Sequence, residues 1–395
     1  MHIKKKFVLS FVTIVLLASC ATEDKYKADN RETPFISNPI ENNSSTEKVT
    51  ISFTHDDNNI SWTYKNDKTE STQGLATSTG NSVLYSKWDN RLQIVDTNTR
   101  TIIADENYLD VIGSRYSSGE NPRVDSTSGA SEQILEKLFL NESGSSVYSL
   151  LMKYDDSKSK EIGIGIYADD IANGIPSTRF ARRASTDTKY YAYPKIKDMA
   201  LSFNGTKVVA VGDDRKIKIF DSNNLNTPTE INTGKKLRSI NFATNDEHLF
   251  VGSGGLSNYI LTYNLASQDK IAELETTQTP KSMLELPEQN KLVVIFNDSN
   301  KVRVYDISDL TKLKPIKLLI INGKAKSIAI SPDNKTFAIA ATGKNVNLFS
   351  IEDLKEPTVI KLTENCFGTS FLSDKKLITV GESSIEFFDI NIEKK

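Results

Sequence analysis

From residue 198 onward, apolar and polar positions alternate in short runs that repeat in a fixed order. Each unit opens on a half-apolar stretch: Asp198-Met199-Ala200-Leu201, Ser239-Ile240-Asn241-Phe242, Ser282-Met283-Leu284-Glu285-Leu286, Ser327-Ile328-Ala329-Ile330 and Thr369-Ser370-Phe371-Leu372. A polar turn leads into a run that is apolar nearly throughout: Val208-Val209-Ala210-Val211, Leu249-Phe250-Val251, Leu292-Val293-Val294-Ile295, Phe337-Ala338-Ile339-Ala340 and Leu377-Ile378-Thr379-Val380. Alternation followed by a continuous apolar run predicts a β-hairpin whose second strand is buried on both faces. After a second turn comes a third strand ending in an aromatic and a polar residue: Phe220-Asp221, Tyr263-Asn264, Tyr305-Asp306, Phe349-Ser350 and Phe388-Asp389.

The closing polar positions of these units lie 43, 42, 44 and 39 residues apart. A period of about 40–45 residues with four short strands per unit predicts a β-propeller. Two earlier units fit with longer insertions. One runs through Gly74-Leu75-Ala76-Thr77, Ser82-Val83-Leu84-Tyr85 and Leu92-Gln93-Ile94-Val95-Asp96. The other runs through Leu138-Phe139-Leu140, Val147-Tyr148-Ser149-Leu150-Leu151 and Ile162-Gly163-Ile164-Gly165-Ile166-Tyr167. Seven units result, with six or eight as the alternatives. The last has three strands, and an unassigned strand at 49–54 stands ready to complete it, which would remove two exposed sheet edges. The expectation is an all-β, seven-bladed propeller over 49–395, its four-stranded last blade closed by the N-terminal strand.

The repeats resemble those of WD-like and YVTN-like bacterial propellers over this region. Ser331-Pro332-Asp333-Asn334 matches their hairpin turn, and Val304-Tyr305-Asp306-Ile307 and Leu92-Gln93-Ile94-Val95-Asp96 resemble the LVIVD-type repeat. The third strands lack a terminal Trp-Asp pair, and the blades lack an opening Gly-His pair.

The first residues have another logic. Lys4-Lys5-Lys6 precede an apolar run from Phe7 to Ala18. About 12 helical residues rise roughly 18 Å, short of a hydrocarbon core of about 30 Å, so the run reads as the core of a signal peptide, 1–19. It ends in Leu17-Ala18-Ser19-Cys20, which resembles the lipobox of bacterial lipoproteins. The resemblance implies cleavage before Cys20, a diacylglyceryl group on its sulfur, acylation of the new amine and membrane anchoring; Ala21 in the next position points to the outer membrane. Residues 20–48 are polar, with Pro34, Pro39 and Asn42-Asn43-Ser44-Ser45, and bury too little to offset ordering. They read as a flexible tether reaching about 30 Å.

Charge and chemistry narrow the function. With 49 basic and 51 acidic residues, no global field favours nucleic acid. Cys366 is the one cysteine after Cys20, so an intramolecular disulfide is excluded in the mature chain, and Cys366 reads as a small buried side chain. His2, His55 and His248 are scattered, with His55 placed in a polar Asp-Asn turn and His248 in a hairpin turn; this spacing predicts neither a zinc site nor a Ser-His-Asp triad. Asp56-Asp57-Asn58-Asn59 and Asp155-Asp156 lack a full calcium-loop pattern. Gly252-Ser253-Gly254-Gly255 reads as a lengthened turn rather than a phosphate loop, which needs a helix behind it. Trp62 and Trp88 are too few for a quinone-cofactor propeller. No catalytic residue, metal or cofactor is expected.

Two connections, at about 105–131 and 168–194, exceed the rest, and long loops in compact domains are usually functional or disordered. They hold Arg115, Arg123, Arg179, Arg182 and Arg183, five of the 11 arginines, and the second adds Phe180, Tyr190, Tyr191 and Tyr193. Arg and Tyr are enriched at recognition hot spots, so these side chains, Tyr193 apart, are the expected partner-binding set; the competing assignment makes 190–193 an outer strand with solvated arginines. The function expected is a non-enzymatic, membrane-anchored binding protein that engages a protein or an envelope glycan. A propeller hydrolase or lactonase with a channel metal, and an outer-membrane assembly factor, are the alternatives.

Overall fold

In a computed structural model the described residues are 196–394, apart from 223 and 382–383, together with earlier strand segments between 49 and 170. Side chains are described mainly for 50–56 and from 196 onward. Met1–Thr46 separate from the compact unit Glu47–Lys395, and Cys20 lies outside the described residues.

Among the described residues the secondary structure is almost wholly β, with one 3-10 turn at Pro287–Gln289. Strand β1 is Val49–Ser61. The first sheet orders β2 (Gly74–Thr77), β3 (Ser82–Ser86), β4 (Arg91–Asp96) and β5 (Thr101–Asn107) as consecutive neighbours. The second holds β6 (Gln133–Leu140), β7 (Ser146–Asp155) and β8 (Lys160–Asp170). The third holds β9 (Ile196–Leu201), β10 (Lys207–Gly212), β11 (Lys216–Asp221) and β12 (Asn224–Asn232). The fourth holds β13 (Leu237–Phe242), β14 (His248–Ser253), β15 (Asn258–Asn264) and β16 (Lys270–Thr276). The fifth holds β17 (Pro280–Leu286), β18 (Lys291–Phe296), β19 (Lys301–Asp306) and β20 (Lys314–Ile320). The sixth holds β21 (Ala325–Ile330), β22 (Thr336–Ala341), β23 (Asn345–Ser350) and β24 (Thr358–Lys361). The seventh holds β25 (Cys366–Ser373), β26 (Lys376–Gly381) and β27 (Ser384–Lys394), with β1 paired antiparallel to β27.

The hairpins fall where the hydrophobic pattern puts them. The second strands are the deepest: Val208 to Val211, Leu292 to Phe296 and Phe337 to Ala341 are all buried. A strand covered on both faces needs apolar side chains at odd and even positions alike, which is why these runs do not alternate. Each fully buried Val, Leu, Ile or Phe contributes about 1.5–3 kcal/mol of transfer free energy. Neighbouring sheets share clusters of these residues. Val293 and Ile295 of the fifth sheet, for example, pack in one cluster with Phe337 and Ile339 of the sixth, and the rings of Phe337 and Phe349 stack at 4.9 Å.

The opening strands of successive sheets touch in series: β2 meets β6, β6 meets β9, and β9, β13, β17, β21 and β25 follow, with β25 meeting β2 again. Side chains stitch this series. Asp198 accepts from the Ile240 N–H at 2.9 Å, Asn241 from the Met283 N–H at 3.4 Å, and Ser327 from the Thr369 N–H at 3.2 Å. The three donors occupy equivalent positions in β13, β17 and β25, so each sheet satisfies a backbone group of the next.

Strand β1 contacts three sheets. It pairs with β27 from Val49↔Lys394 to Asp56↔Phe387, accepts a hydrogen bond at the Ile51 carbonyl from the Thr358 hydroxyl of the sixth sheet at 3.1 Å, and pairs Asp56 with Arg100 in the turn between β4 and β5. Arg100 also lies 4.6 Å over the Phe387 ring, and its guanidinium is held above its ordinary range chiefly by the Asp56 hydrogen bond. The strand is longer than 49–54, and this corrects the placement of His55. His55 sits in β1 opposite Phe388, not in a turn, and a register shift between Asp56 and Ile60 absorbs the polar residues that follow it. His248 likewise begins β14 and pairs with Asn264.

Candidate functional site

The bulges of the opening strands place one residue type repeatedly. In β9, β13, β17 and β21 the pairing register skips a single residue: Lys197, Arg238, Lys281 and Lys326. In β25 the same skip falls on Phe367. A bulged residue is left out of the ladder and its side chain is re-aimed. Four consecutive sheets therefore carry a cation at the same structural position, beside the turns that join second to third strands.

Those turns supply the counter-charges. Arg238 donates to Asp213 at 2.6 Å. Lys324, just before β21, donates to Asp298 at 2.8 Å, and that ammonium holds the Asp298 carboxyl below its ordinary range. Lys281 donates to the Ala325 carbonyl of the next sheet at 3.2 Å. Burial pushes its ammonium down to about 8, and the neighbouring Lys326 pushes the same way.

Beside this row a cleft of ≈ 390 Å³ opens between the fifth and sixth sheets, lined by Gln278, Asp298, Ser299, Lys301, Lys324 and Thr342 among others. Its wall is fixed by backbone contacts: Ala325 N–H donates to Ser299 O at 2.8 Å and Thr342 N–H to Lys324 O at 2.9 Å. Gly323 has φ +90, and a Cβ there would stand 2.0 Å from the Thr342 carbonyl oxygen, so this wall requires glycine.

A second surface lies on β20, the outer strand of the fifth sheet. Ile316, Leu318 and Ile320 are 42%, 45% and 52% exposed. Leu318 and Ile320, two residues apart, share one face of the strand, while Leu319 on the other face is buried; Ile316 is the residue skipped where the register with β19 shifts between Lys317 and Pro315. The opposite edge of β20 carries no strand among the described residues. The outer strand β16 instead places Lys270, Glu273 and Glu275 toward solvent with Ala272 buried, and Glu273 takes hydrogen bonds from Lys235 and Lys270, which hold its carboxyl below the ordinary range.

Neither surface was among the residues expected from sequence. Arg115, Arg123, Arg179, Phe180, Arg182, Arg183, Tyr190, Tyr191 and Tyr193 lie outside the described residues, which bring none of them to a site. Of the segment Gly252-Ser253-Gly254-Gly255, expected as a lengthened turn, Gly252 and Ser253 end β14 and pair with Ile260 and Tyr259, and only Gly254 and Gly255 fall in the turn to β15. Its first glycine has a packing role: a Cβ at Gly252 would meet Ser239 Oγ at 2.2 Å and Pro280 Cβ at 2.9 Å. Cys366 is buried, its thiol donates to the Gly368 carbonyl at 2.9 Å, and burial pushes it up to about 12. Among the described residues no group of three or more His, Cys, Asp or Glu gathers as a metal cluster.

No protein-family model matches the chain, and no curated protein matches it. Among solved structures it is similar to the β-propeller domain of Cps50 (Swd1) from Myceliophthora thermophila. The TM-score is 0.58 at 10% identity, covering 86% of this chain and 100% of that one. At that identity the likeness speaks to the fold alone: the chain folds as a WD-like β-propeller.

Proposed function

We propose that this chain is a lipid-anchored extracytoplasmic binding protein: a seven-bladed propeller, closed by its own N-terminal strand, that holds a partner protein on its rim. Seven sheets whose opening strands touch in series support the blade count. The bonds from β1 to β27, Thr358 and Arg100 support the closure. Anchoring rests on Cys20 and the segment before it, with the outer membrane as the site.

The binding role is carried by β20. Leu318 and Ile320 on an edge strand, with exposed Ile316 at the bulge before them, offer both backbone hydrogen-bonding groups and apolar contacts, the combination used when an extended segment adds to a sheet. Pro315 has no N–H, so pairing is confined to 316–320. Lys312 and Lys314 precede the row, which makes the fitting partner a strand with apolar residues at every second position and acidic residues at the end that meets them. The loops bearing Arg115, Arg123 and 179–191 are a further proposed contact. A glycan partner would use those polar loops and leave β20 bare.

The test is substitution on the exposed face. Leu318→Glu and Ile320→Glu leave the buried face of β20 intact, and each is expected to weaken capture of the partner by more than tenfold while the melting temperature holds. Undiminished capture by both variants would contradict the rim assignment. Cys20→Ala is expected to abolish fatty-acid labelling and membrane recovery.

A further inference from the structure

We infer that the cleft between the fifth and sixth sheets is a binding site for a phosphate-bearing ligand, held by Lys281, Lys301, Lys324 and Lys326. Lys301 and Lys324 line the cleft, and Lys281 and Lys326 occupy the bulge positions of the two opening strands beside it. Against these four ammonium groups stands a single lining carboxylate, Asp298, whose charge is felt by Lys324, Lys326 and Lys281 together. Lys326 has no hydrogen bond or ion pair among the described residues, and Lys281 spends one donor on a carbonyl.

Asp298 offsets only part of this positive charge, and its own carboxylate is already taken by Lys324 at 2.8 Å. Lys281 is half-buried beside Lys326, an arrangement that costs stability in the empty protein and is relieved when a multiply charged anion binds. The set is lysine rather than arginine. Ammonium groups act as point charges with rotatable donors, the way lysine binds phosphoryl oxygens. A cleft of ≈ 390 Å³ falls in the usual range for small-ligand sites, about 300–1,000 Å³. The wall at Gly323 and Thr342 is backbone held in fixed bonds, so the lysines stand around a rigid edge. This site does not rest on the β20 reading and stands or falls without it.

The experiment is calorimetric titration of the full chain in neutral detergent with pyrophosphate. Binding is expected to weaken as salt is raised. The double variant Lys281→Met/Lys326→Met should lose at least tenfold in affinity. Asp298→Asn removes the opposing charge and should raise affinity about threefold, a gain that misfolding cannot produce. Vesicles carrying phosphatidic acid distinguish the source: competition with pyrophosphate assigns a lipid headgroup, and its absence assigns a soluble phosphate. The inference is overturned if the wild-type chain fails to bind pyrophosphate. Equal affinity in the double variant, or equally tight binding of citrate, overturns it too.

Discussion

His55 on the N-terminal strand donates through Nε2 to the carboxylate of Glu386 on β27, 3.2 Å away. Glu386 is 2% exposed and also accepts from the Thr363 N–H at 3.1 Å and the Thr363 hydroxyl at 2.7 Å. One buried carboxylate thus ties the incoming N-terminal strand, the last third strand and the connection from the sixth sheet. The His55 ring also packs 5.1 Å from Phe388, which meets Phe53 edge-on at 6.3 Å. The two ends of the domain are held by a polar centre with aromatic cover.

Removing that centre should loosen β1 selectively. Glu386→Ala leaves three donors without their acceptor and is expected to cost about 2–4 kcal/mol. His55→Ala leaves the Thr363 bonds in place and should cost about 1 kcal/mol. Hydrogen exchange followed by mass spectrometry should show faster exchange over 49–56 in both variants, and over 362–363 in Glu386→Ala alone. Unchanged exchange over 49–56 would mean that the Glu386 centre does not hold the strand.

Lys218 makes a different prediction. It is fully buried on β11 and paired with Asp214, four residues earlier. Breaking such a pair from one side costs far more than replacing it with apolar atoms, because a buried charge is left behind. Asp214→Ala is expected to lower stability by about 2–3 kcal/mol, since Asp214 keeps some solvent contact. Lys218→Met should change stability by less than about 1 kcal/mol. Urea midpoints at constant m-value check the asymmetry.

Lys281 links stability to pH. Its ammonium is held at about 8 in the fold, against an ordinary value of 10.5, first by burial and then by Lys326, with Asp298 opposing. Below about pH 8 the group is charged in both states and its burial cost is fully present. Between about 8 and 10.5 the folded chain releases its proton first, the unfolded chain binds more protons, and stability rises with pH. Lys281→Met should therefore stabilise by about 1–2 kcal/mol at pH 7, after allowing for solvent screening, and the gain should vanish near pH 10.5. Thermal melts at pH 7 and pH 10.5 read the difference. The same group is then a cation the fold tolerates rather than needs, in keeping with a role in holding an anion.

The strands were legible because double burial leaves an imprint that single burial does not: β10, β18 and β22 need apolar residues at every position, and each such run stands out between polar turns. The pairing of 49–54 with the last sheet was legible by counting, since β25 to β27 lacked a fourth neighbour. His55 was misplaced because Asp56-Asp57-Asn58-Asn59 has turn composition. An edge strand tolerates it, however, since one side faces solvent and a register shift takes up the surplus. The cationic row stayed hidden for a related reason. Hairpins traced from Asp198, Ser239, Ser282 and Ser327 begin one residue after Lys197, Arg238, Lys281 and Lys326, and bulges leave no mark in a period-two pattern. A visible signal did exist for β20. Ile316, Leu318, Leu319 and Ile320 make an outer strand apolar on both faces, where β16 keeps charges toward solvent.

The central claim, a rim that binds a partner strand, is tested most directly by site-specific photo-crosslinking in intact cells at positions 316, 317, 318 and 320. A strand added to β20 and covering its exposed face predicts one discrete adduct from 318 and 320 and little from 317, with the adduct abolished by Ile320→Glu when the crosslinker is at 318. Equal yields at all four positions, or no adduct from a correctly localised protein, would contradict it.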